Sequence, residues 1–333
     1  MTAPTSPAAT PAVSRPSTST LSTGLTCGID IGGTKIAGAV VDEQGRILAE
    51  HRVESPATDA AAVEDAVAAL ITELAAHHEV TAVGIGAAGY VDASRSVVMF
   101  APNIAWRDED LSSEIGARVG LPVVVENDAN AAAWGEFAFG AAADVDDMLM
   151  ITVGTGVGGG IVLGGELYRG AFGAAAEIGH LRVVRGGRLC GCGNYGCLEQ
   201  YASGSALVKD ARAQARTPEA ADLLARAGGD VMAIDGPMIT TAAAEGDAFA
   251  LARLQDLGAW LGEAIASLAA VLDPGAVVIG GGVSEAGDLL LDPVRAAFVN
   301  ELTGRGHRPF LDVRAASLGN RAGVIGAADL ARR

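Results

Sequence analysis

The chain of 333 residues is half hydrophobic but only 4% aromatic, so its core must be built mainly from small side chains such as Ala, Gly and Val. A formal net charge of −17 repels DNA and anionic lipid, which disfavours nucleic acid and membrane surfaces as partners. The sequence holds no apolar run of about 18 residues, so no membrane span is predicted.

The first 24 residues differ in composition from the rest of the chain. Residues 1–24 are rich in Ser, Thr, Pro and Ala, and they lack the apolar segment of an export signal. They are predicted to be a disordered N-terminal tail. Without an export signal we expect a cytoplasmic protein whose thiols stay reduced.

The ordered part is predicted to begin near Leu25 with a strand, a glycine loop, a second strand, a turn at 43–45 and a third strand. Apolar residues at helical spacing predict a helix within 58–79, and the buried strand TAVGIGAAG follows it. A helix at 110–119, the buried strand LPVVVEN and a helix at 128–139 complete the first half.

A second round of the same pattern starts at residues 148–170, again as strand, glycine loop, strand, turn and strand. This repeat indicates an internal duplication. Helices are predicted at 203–216, 218–227 and 240–272, and AVVIGGGV is predicted to be a late strand. The last predicted helix covers about 317–331.

Alternating strands and helices predict an α/β fold with two related halves and a cleft between them. The expected N-terminal domain covers 25–140 and is joined by the C-terminal helix at 317–333. The expected C-terminal domain covers 141–316. Ligands of such folds bind at the carboxyl ends of the strands, where this sequence has its glycine loops.

Two glycine loops are candidates for binding phosphate. Glycines let backbone N–H groups approach phosphate oxygens, and the acid that ends the first strand can hold a hydrated Mg²⁺ beside them. Either loop alone could equally be a tight β-hairpin, but two loops from duplicated halves can grip a polyphosphate from both sides. The residues concerned are Asp30, Gly32, Gly33, Thr34, Lys35, Gly154, Thr155 and Gly156.

The chain also contains the pattern Gly-x-Gly-x-x-Gly, which is typical of dinucleotide sites when it opens a helix. Here each copy leads into a segment that reads as a strand or turn, and 45 glycines make chance matches expected. An NAD-binding site is therefore disfavoured. The two copies are Gly84/Gly86/Gly89 and Gly154/Gly156/Gly159.

The segment VVVENDANAAAWGE holds the strongest candidate for a catalytic acid or base. A buried strand ends there and a helix begins, so Asn127 and Asp128 fall where substrate sites form. Both residues could instead serve only as a helix cap and a first-turn acid. A carboxylate in this place can accept the proton of a substrate hydroxyl as that hydroxyl attacks a γ-phosphoryl group.

Three of the four cysteines lie in one glycine-rich loop, GHLRVVRGGRLCGCGNYGCLEQ (179–200). Three thiolates and one imidazole suit a closed, structural Zn²⁺ site, although unbound reduced thiols in a tight loop are the alternative. The candidate ligands are His180, Cys190, Cys192 and Cys197. The remaining Cys27 lies in the first strand and is predicted to be a small core residue.

Several motifs in order resemble the ROK family of repressors and kinases: DIGGTK, APN, ENDANAAAWGE, GTGVGGG, EIGH, CGCGNYGCLE and GGGV. The resemblance runs from about Leu25 to the C-terminus and is greatest to the bacterial glucokinases of that family. It implies the duplicated, ribonuclease H-like fold of actin-like ATPases and hexokinases. The repressors of the family carry an N-terminal DNA-binding module, whereas only a low-complexity tail precedes the kinase motifs here.

The resemblance also implies roles for single residues. Asp128 would be the general base, and the two glycine loops would hold ATP phosphates and Mg²⁺. Gly281 and Gly282 would lie near the adenosine, and the Cys₃His set would hold structural zinc within 180–197. The residues implied to contact the sugar are Gly89, Asn103, Asn127, Asp128, Glu177, His180 and Glu199.

The implied activity is ATP-dependent phosphorylation of D-glucose at its 6-hydroxyl, the first step of glycolysis, by a dimer or tetramer. Fructose, mannose, allose or an N-acetylhexosamine are alternative substrates, and polyphosphate is an alternative donor. A non-catalytic sugar-sensing regulator is a further alternative, which the intact Asp30 and Asp128 disfavour.

Overall fold

The computed structural model describes residues 24–333, so the tail predicted at 1–24 lies, except for Gly24, outside the described residues. Two five-stranded sheets dominate the described part. The first has the order β3-β2-β1-β4-β8 and the second the order β11-β10-β9-β12-β13. Their strands are β1 (Leu25–Ile31), β2 (Lys35–Val41), β3 (Ile47–Glu54), β4 (Val80–Ala87), β8 (Val123–Asn127), β9 (Met148–Val153), β10 (Val157–Leu163), β11 (Glu166–Leu167), β12 (Ala276–Gly280) and β13 (Asp312–Ala315).

The two sheets share one topology, as the predicted duplication requires. In each sheet the first three strands form an antiparallel meander, a fourth strand pairs in parallel with the first one, and a fifth pairs in parallel with the fourth. A third, small antiparallel sheet belongs to the first half and consists of β5 (Tyr90–Val91), β6 (Val98–Phe100) and β7 (Arg107–Glu109). The mixed α/β fold with two related halves is thereby confirmed.

Helices cover both sheets, and none within residues 24–333 is both long enough and apolar enough to cross a bilayer. Short 3₁₀ turns also occur, including Ile178–His180. The α-helices are α1 (Ala60–Ala75), α2 (Leu111–Val119), α3 (Asp128–Phe139), α4 (Glu199–Ala202), α5 (Gly204–Gln214), α6 (Ala221–Arg226), α7 (Gly236–Ala244), α8 (Ala248–Leu272), α9 (Asp288–Glu301) and α10 (Ala322–Leu330).

The prediction of one helix at 240–272 is wrong, because the chain breaks it into α7 and α8. Gly246 adopts a φ of 92°, which a helix does not allow, and Asp247 then caps α8 by accepting a hydrogen bond from the backbone N–H of Ala250. Helix α9 is missing from the predicted elements, because Pro293 inside it is typical of a helix break. The last helix begins at Ala322, five residues later than predicted.

Helices α3 and α10 pack between the two sheets at backbone contact distance. A Cβ on Gly84 of β4 would lie only 1.8 Å from the carbonyl oxygen of Ala327 in α10. A Cβ on Gly326 of α10 would lie equally close, 1.8 Å, to the carbonyl oxygen of Ala131 in α3. On its other side α3 meets Gly160 of β10, where a Cβ would lie 2.3 Å from Ala133 Cβ. The small residues that the composition emphasises therefore let the layers approach closely, and they hold the start of α3 between the sheets.

Candidate active site

Asp128 lies at the junction of β8 and α3, at the carboxyl end of the first sheet. The capping role belongs to Asn127, whose side-chain oxygen accepts a hydrogen bond from Asn130 N at 3.0 Å. The amide nitrogen of Asn127 donates to the Gly89 carbonyl at 3.1 Å. The Asp128 carboxylate is therefore not needed as the cap, and it accepts from the backbone N–H of Ala129.

Asp128 shares a cavity of about 440 Å³, the acidic cavity, with Asp30 at the end of β1. Burial raises the pKa of Asp128 to about 6. Burial also raises the pKa of Asp30 to about 7, the negative charge of Asp128 adds to this rise, and Arg52 opposes it. Two carboxylates that line one cavity and interact electrostatically favour a cation bound there. Near neutral pH Asp128 is ionised yet remains basic enough to accept a proton.

The first glycine loop is both a hairpin turn and part of this cavity. Gly32 N donates to the Lys35 carbonyl at 3.0 Å, which closes the turn between β1 and β2. Gly32, Thr34 and Lys35 line the acidic cavity, as does Gly281 after β12. Gly33 instead faces Asn103, because a Cβ built on Gly33 would lie 3.5 Å from Asn103 Cβ.

Arg52 is a cavity residue that no sequence motif marks. It lies on β3 opposite Ala37 of β2, and it lines the acidic cavity together with Lys35. Its guanidinium makes no hydrogen bond or ion pair with another residue of the described range 24–333. Strand alternation shows that Arg52 shares a face with Glu50 and Glu54, but only the folded structure shows that this face borders the cavity.

A larger cavity of about 1050 Å³ continues from the second glycine loop. Gly154 and Thr155 line it on one side and Gly282 on another, so the adjacent Gly281 and Gly282 connect it with the acidic cavity. Its outer wall is mostly apolar, which suits the base and ribose of a nucleotide better than an extended chain of phosphates. The apolar part of that wall includes Leu207, Val208, Pro237, Ala244, Val283 and Leu289, and the charged residues Lys209, Arg212 and Glu285 also line the cavity.

Glu177, His180 and Glu199 converge beside the second glycine loop. The Nε2 atom of His180 lies 3.9 Å from a carboxylate oxygen of Glu177. Burial raises the pKa of Glu177, His180 lowers it, and the charges of Asp128 and Glu199 raise it further, so these acids lie within mutual electrostatic reach. Glu199 accepts a hydrogen bond from Val157 N at 3.2 Å.

The second glycine loop also meets this group of acids. A Cβ on Gly156 would lie 2.3 Å from the Glu199 carboxylate, so any larger residue here would require the Glu199 side chain to move. Gly156 thus borders the sugar-site candidates, whereas Gly154 and Thr155 border the large cavity. Asn103 is an exposed residue of the loop between β6 and β7 in the first half, where it lies next to Gly33 of the first glycine loop.

The four residues selected as zinc ligands form one cluster, in which one ligand atom from each lies within 4.8 Å of the others. Cys192 Sγ and Cys197 Sγ are 3.7 Å apart, and Cys190 Sγ is 3.7 Å from Nδ1 of His180. Tetrahedral Zn²⁺ with Zn–S bonds of about 2.3 Å separates its sulfurs by about 3.8 Å, so the spacing fits this ion. Burial and the neighbouring thiols raise the pKa of Cys197 to about 12, which a bound cation would reverse. Cys27, by contrast, is fully buried in β1, as predicted.

Comparisons with known proteins identify the family of this chain. The model of the ROK family matches residues 26–333. A glucokinase from Streptomyces coelicolor is 55% identical over 93% of this chain and 98% of its own length. The crystal structure of a ROK family glucokinase from Streptomyces griseus, in complex with glucose and AMPPNP, has a TM-score of 0.85 at 55% identity and covers 93% of this chain and 99% of that one. A ROK hexokinase from Thermus thermophilus has a TM-score of 0.76 at 35% identity, over 92% and 97% of the two chains.

Proposed function

Because the chain belongs to the ROK family, we propose that it is an ATP-dependent glucokinase, which transfers the γ-phosphoryl group of ATP to the 6-hydroxyl of D-glucose. The relatives at 55% identity, one of them solved with glucose and an ATP analogue, support both substrates. The observation that carries the mechanism is the position of Asp128. This carboxylate faces the acidic cavity on one side and lies within electrostatic reach of Glu177 on the other.

In the proposed mechanism Asp128 accepts the proton of the 6-hydroxyl as this oxygen attacks the γ-phosphorus of ATP. The raised pKa of Asp128 supports this role, because it brings the affinity of the carboxylate for a proton closer to the working pH. The backbone N–H groups of the two glycine loops, with Lys35 and Arg52, stabilise the charge that develops on the phosphoryl oxygens.

The sugar is proposed to bind between the two halves. Asn103 and Asn127 reach it from the first half, where Gly89 supports Asn127 through its carbonyl. Glu177, His180 and Glu199 reach it from the second half. Closure of the halves on the sugar would exclude water and so limit hydrolysis of ATP.

The Asp30 and Asp128 carboxylates fit a hydrated Mg²⁺ facing the ATP phosphates, which would neutralise phosphate charge in the acidic cavity. The Cys₃His cluster fits Zn²⁺, with Nδ1 of His180 on the metal side and Nε2 directed towards Glu177 and the sugar. Zinc in this place would be structural, because its four ligands are all protein atoms. The metal would fix the position of His180, which is one of its ligands. It would also fix Glu199, which follows the ligand Cys197 by two residues.

The large cavity supports ATP over polyphosphate as the donor, since most of its lining is apolar and offers contacts to a base. Of its two basic residues, Lys209 and Arg212, the latter donates to the backbone carbonyls of Ile234 and Met232. Family membership further supports a homo-oligomer, which light scattering on the purified protein tests. A cytoplasmic location is supported by the use of ATP and by three closely spaced thiols that must stay reduced.

The deciding experiment is an assay of ADP release from Mg²⁺-ATP with a panel of hexoses, using the Asp128→Asn protein as the negative control. Glucose-preferring turnover that is lost in the control supports the proposal. Preference for another hexose would support a sugar kinase but refute glucose as its substrate. Tight glucose binding, measured by calorimetry, without turnover would refute the kinase assignment and indicate a sugar-sensing protein.

A further inference from the structure

A partly buried ion pair joins the two halves next to Asn127 and Asp128 of the proposed active site. The Glu126 side chain is only 4% exposed, and its Oε2 atom accepts a hydrogen bond from Arg169 Nε at 2.6 Å. Glu126 belongs to β8 of the first half, whereas Arg169 follows β11 of the second half. Neither residue lines the acidic cavity or the large cavity.

On the first half, Glu126 is bonded to the residues that surround Asp128. Its Oε1 atom accepts from the backbone N–H of Asn127 at 3.2 Å and from the side-chain amide of Asn130 at 3.0 Å. These bonds fix the last residue of β8 and the first turn of α3. Asp128 lies between the two donors, so its position depends on the same carboxylate.

In the second half, Arg169 is the first residue of the segment 169–177, which ends at Glu177. The Arg169 carbonyl accepts a hydrogen bond from Ala175 N at 3.1 Å, which closes the segment into a turn. Within it Gly173 lies against the first half, since a Cβ there would be 2.2 Å from the Val91 carbonyl oxygen. Ala176 has a φ of 65°, a conformation that a non-glycine residue keeps only when its surroundings enforce it.

The Glu126 carboxylate also lies near a second arginine, Arg95, whose charge it helps to balance. Arg95 Nε lies 3.9 Å from Glu126 Oε2 and has no hydrogen-bond partner, while the Arg95 side chain is only 16% exposed. Burial and the nearby Arg169 lower the pKa of Arg95, and the charge of Glu126 raises it. The remaining nitrogens of Arg95 donate to the carbonyls of Leu330 and Arg333. Removal of the Glu126 charge would therefore leave two partly buried guanidinium groups facing each other.

We propose that the Glu126–Arg169 pair positions Asp128 and Glu177 relative to each other, so that sugar affinity depends on two residues that do not touch the sugar. The pair is the one charge–charge hydrogen bond, among those of the described range, that connects the turn carrying Asp128 with the segment carrying Glu177, and its carboxylate is buried. Both residues are positioning residues. The inference rests on the proposed function insofar as Asp128 and Glu177 contact the substrate.

The test begins with Glu126→Gln, which keeps the shape of the side chain but removes its charge. Misplacement of a substrate-positioning group by about 1 Å can cost about 100-fold in rate. We therefore expect the KM for glucose to rise between about 10-fold and 100-fold, while the KM for ATP changes by less than about twofold. The glucose Kd from calorimetry should weaken in parallel, which separates a binding effect from a slower chemical step.

The matched control is Glu136→Gln, at the other end of α3. Glu136 is also buried, and it accepts hydrogen bonds from Ala141 N, Ser317 N and Leu318 N. It lines neither cavity, and the segment it holds borders the acidic cavity rather than Glu177, His180 or Glu199. This variant should lower the melting temperature and leave the KM for glucose within about twofold. An equal rise of that KM in both variants would mean that Glu126 acts only through general stability, and would overturn the proposal.

A double-mutant cycle with Arg169→Gln completes the experiment. If the two residues act as one pair, the combined variant should lose little more glucose affinity than either single variant. Arg169→Lys retains the positive charge that Arg169→Gln removes, so it should bind glucose more tightly than Arg169→Gln. It also provides a test if the uncharged variants fold poorly. Independent, multiplying effects, or an unchanged glucose Kd in Glu126→Gln, would refute the pair. A wild-type protein that binds glucose but transfers no phosphoryl group would refute the proposed function instead, while the calorimetric cycle would still test the pair.

Discussion

Replacing Asp128 with Asn should remove activity and, at the same time, make the protein more stable. The amide keeps the shape of the side chain but cannot accept the proton of a sugar hydroxyl. General base catalysis contributes about 100-fold to 10,000-fold, so kcat should fall by at least that range, while the glucose Kd stays within a few-fold. In the unchanged protein, kcat should decrease as the pH falls through about 6, because protonated Asp128 is no longer a base.

The stability gain follows from the pKa of the same carboxyl group. Burial raises this pKa from 3.8 to about 6, which corresponds to about 3 kcal/mol held against folding once Asp128 is ionised. Because the cavity is open to water, we expect Asp128→Asn to recover about 1 to 3 kcal/mol, or about 1 to 4 °C in melting temperature. A carboxyl group whose pKa is raised on folding lowers the free energy of unfolding. The loss is absent below about pH 4, where the group is protonated in both states, and complete above about pH 6. The gain should therefore be present at pH 8, reduced at pH 5 and absent at pH 4.

Calorimetric melting curves at these three pH values measure the gain, and the coupled ADP assay measures the lost activity. Asp110→Asn is the matched control, since Asp110 caps α2 by accepting from Ser113 N and lines neither cavity. That control should change neither activity nor stability, because Asn caps a helix as well as Asp does. Normal turnover in Asp128→Asn would refute its role as the base. A gain in stability that does not depend on pH would refute the explanation through burial of the charge.

Three further variants test the metal cluster, the acidic cavity and the interior packing. Cys192→Ser should lower the zinc content, measured by atomic absorption, and the glucose affinity together; loss of the metal with unchanged affinity would contradict the link between them. Arg52→Gln should lower kcat/KM for ATP by about 100-fold or more while exposed Arg216→Gln leaves it unchanged, and equal values for both would remove Arg52 from the phosphate site. Gly84→Ala should cost about 1 to 3 kcal/mol of unfolding free energy through its clash with α10, whereas Gly236→Ala, which meets no atom within 4 Å, should cost little; similar denaturation midpoints would contradict the close packing.

Local features of the chain can be predicted from short stretches of its sequence. The two strand–loop–strand units, the start of α3 at Asp128 and the strand at 276–280 depend on residues that are neighbours in sequence. The Cys₃His cluster is predictable for the same reason, because three of its ligands come from one short loop and the fourth precedes that loop closely. Where short-range cues conflict, the prediction is wrong, as with the break at Gly246 and with the helix that contains Pro293.

The sequence by itself determined which chemical groups are present and which residues begin or end each element, because caps, glycine turns and apolar periodicity act over a few residues. Only the tertiary structure decided which face of β3 meets Asp30, so no local pattern could select Arg52. It also decided that Glu126 would find Arg169, its partner 43 residues away. Such pairs form because two sheets and two glycine-lined helices pack at backbone distance, and that geometry is set by the whole interior rather than by any local pattern.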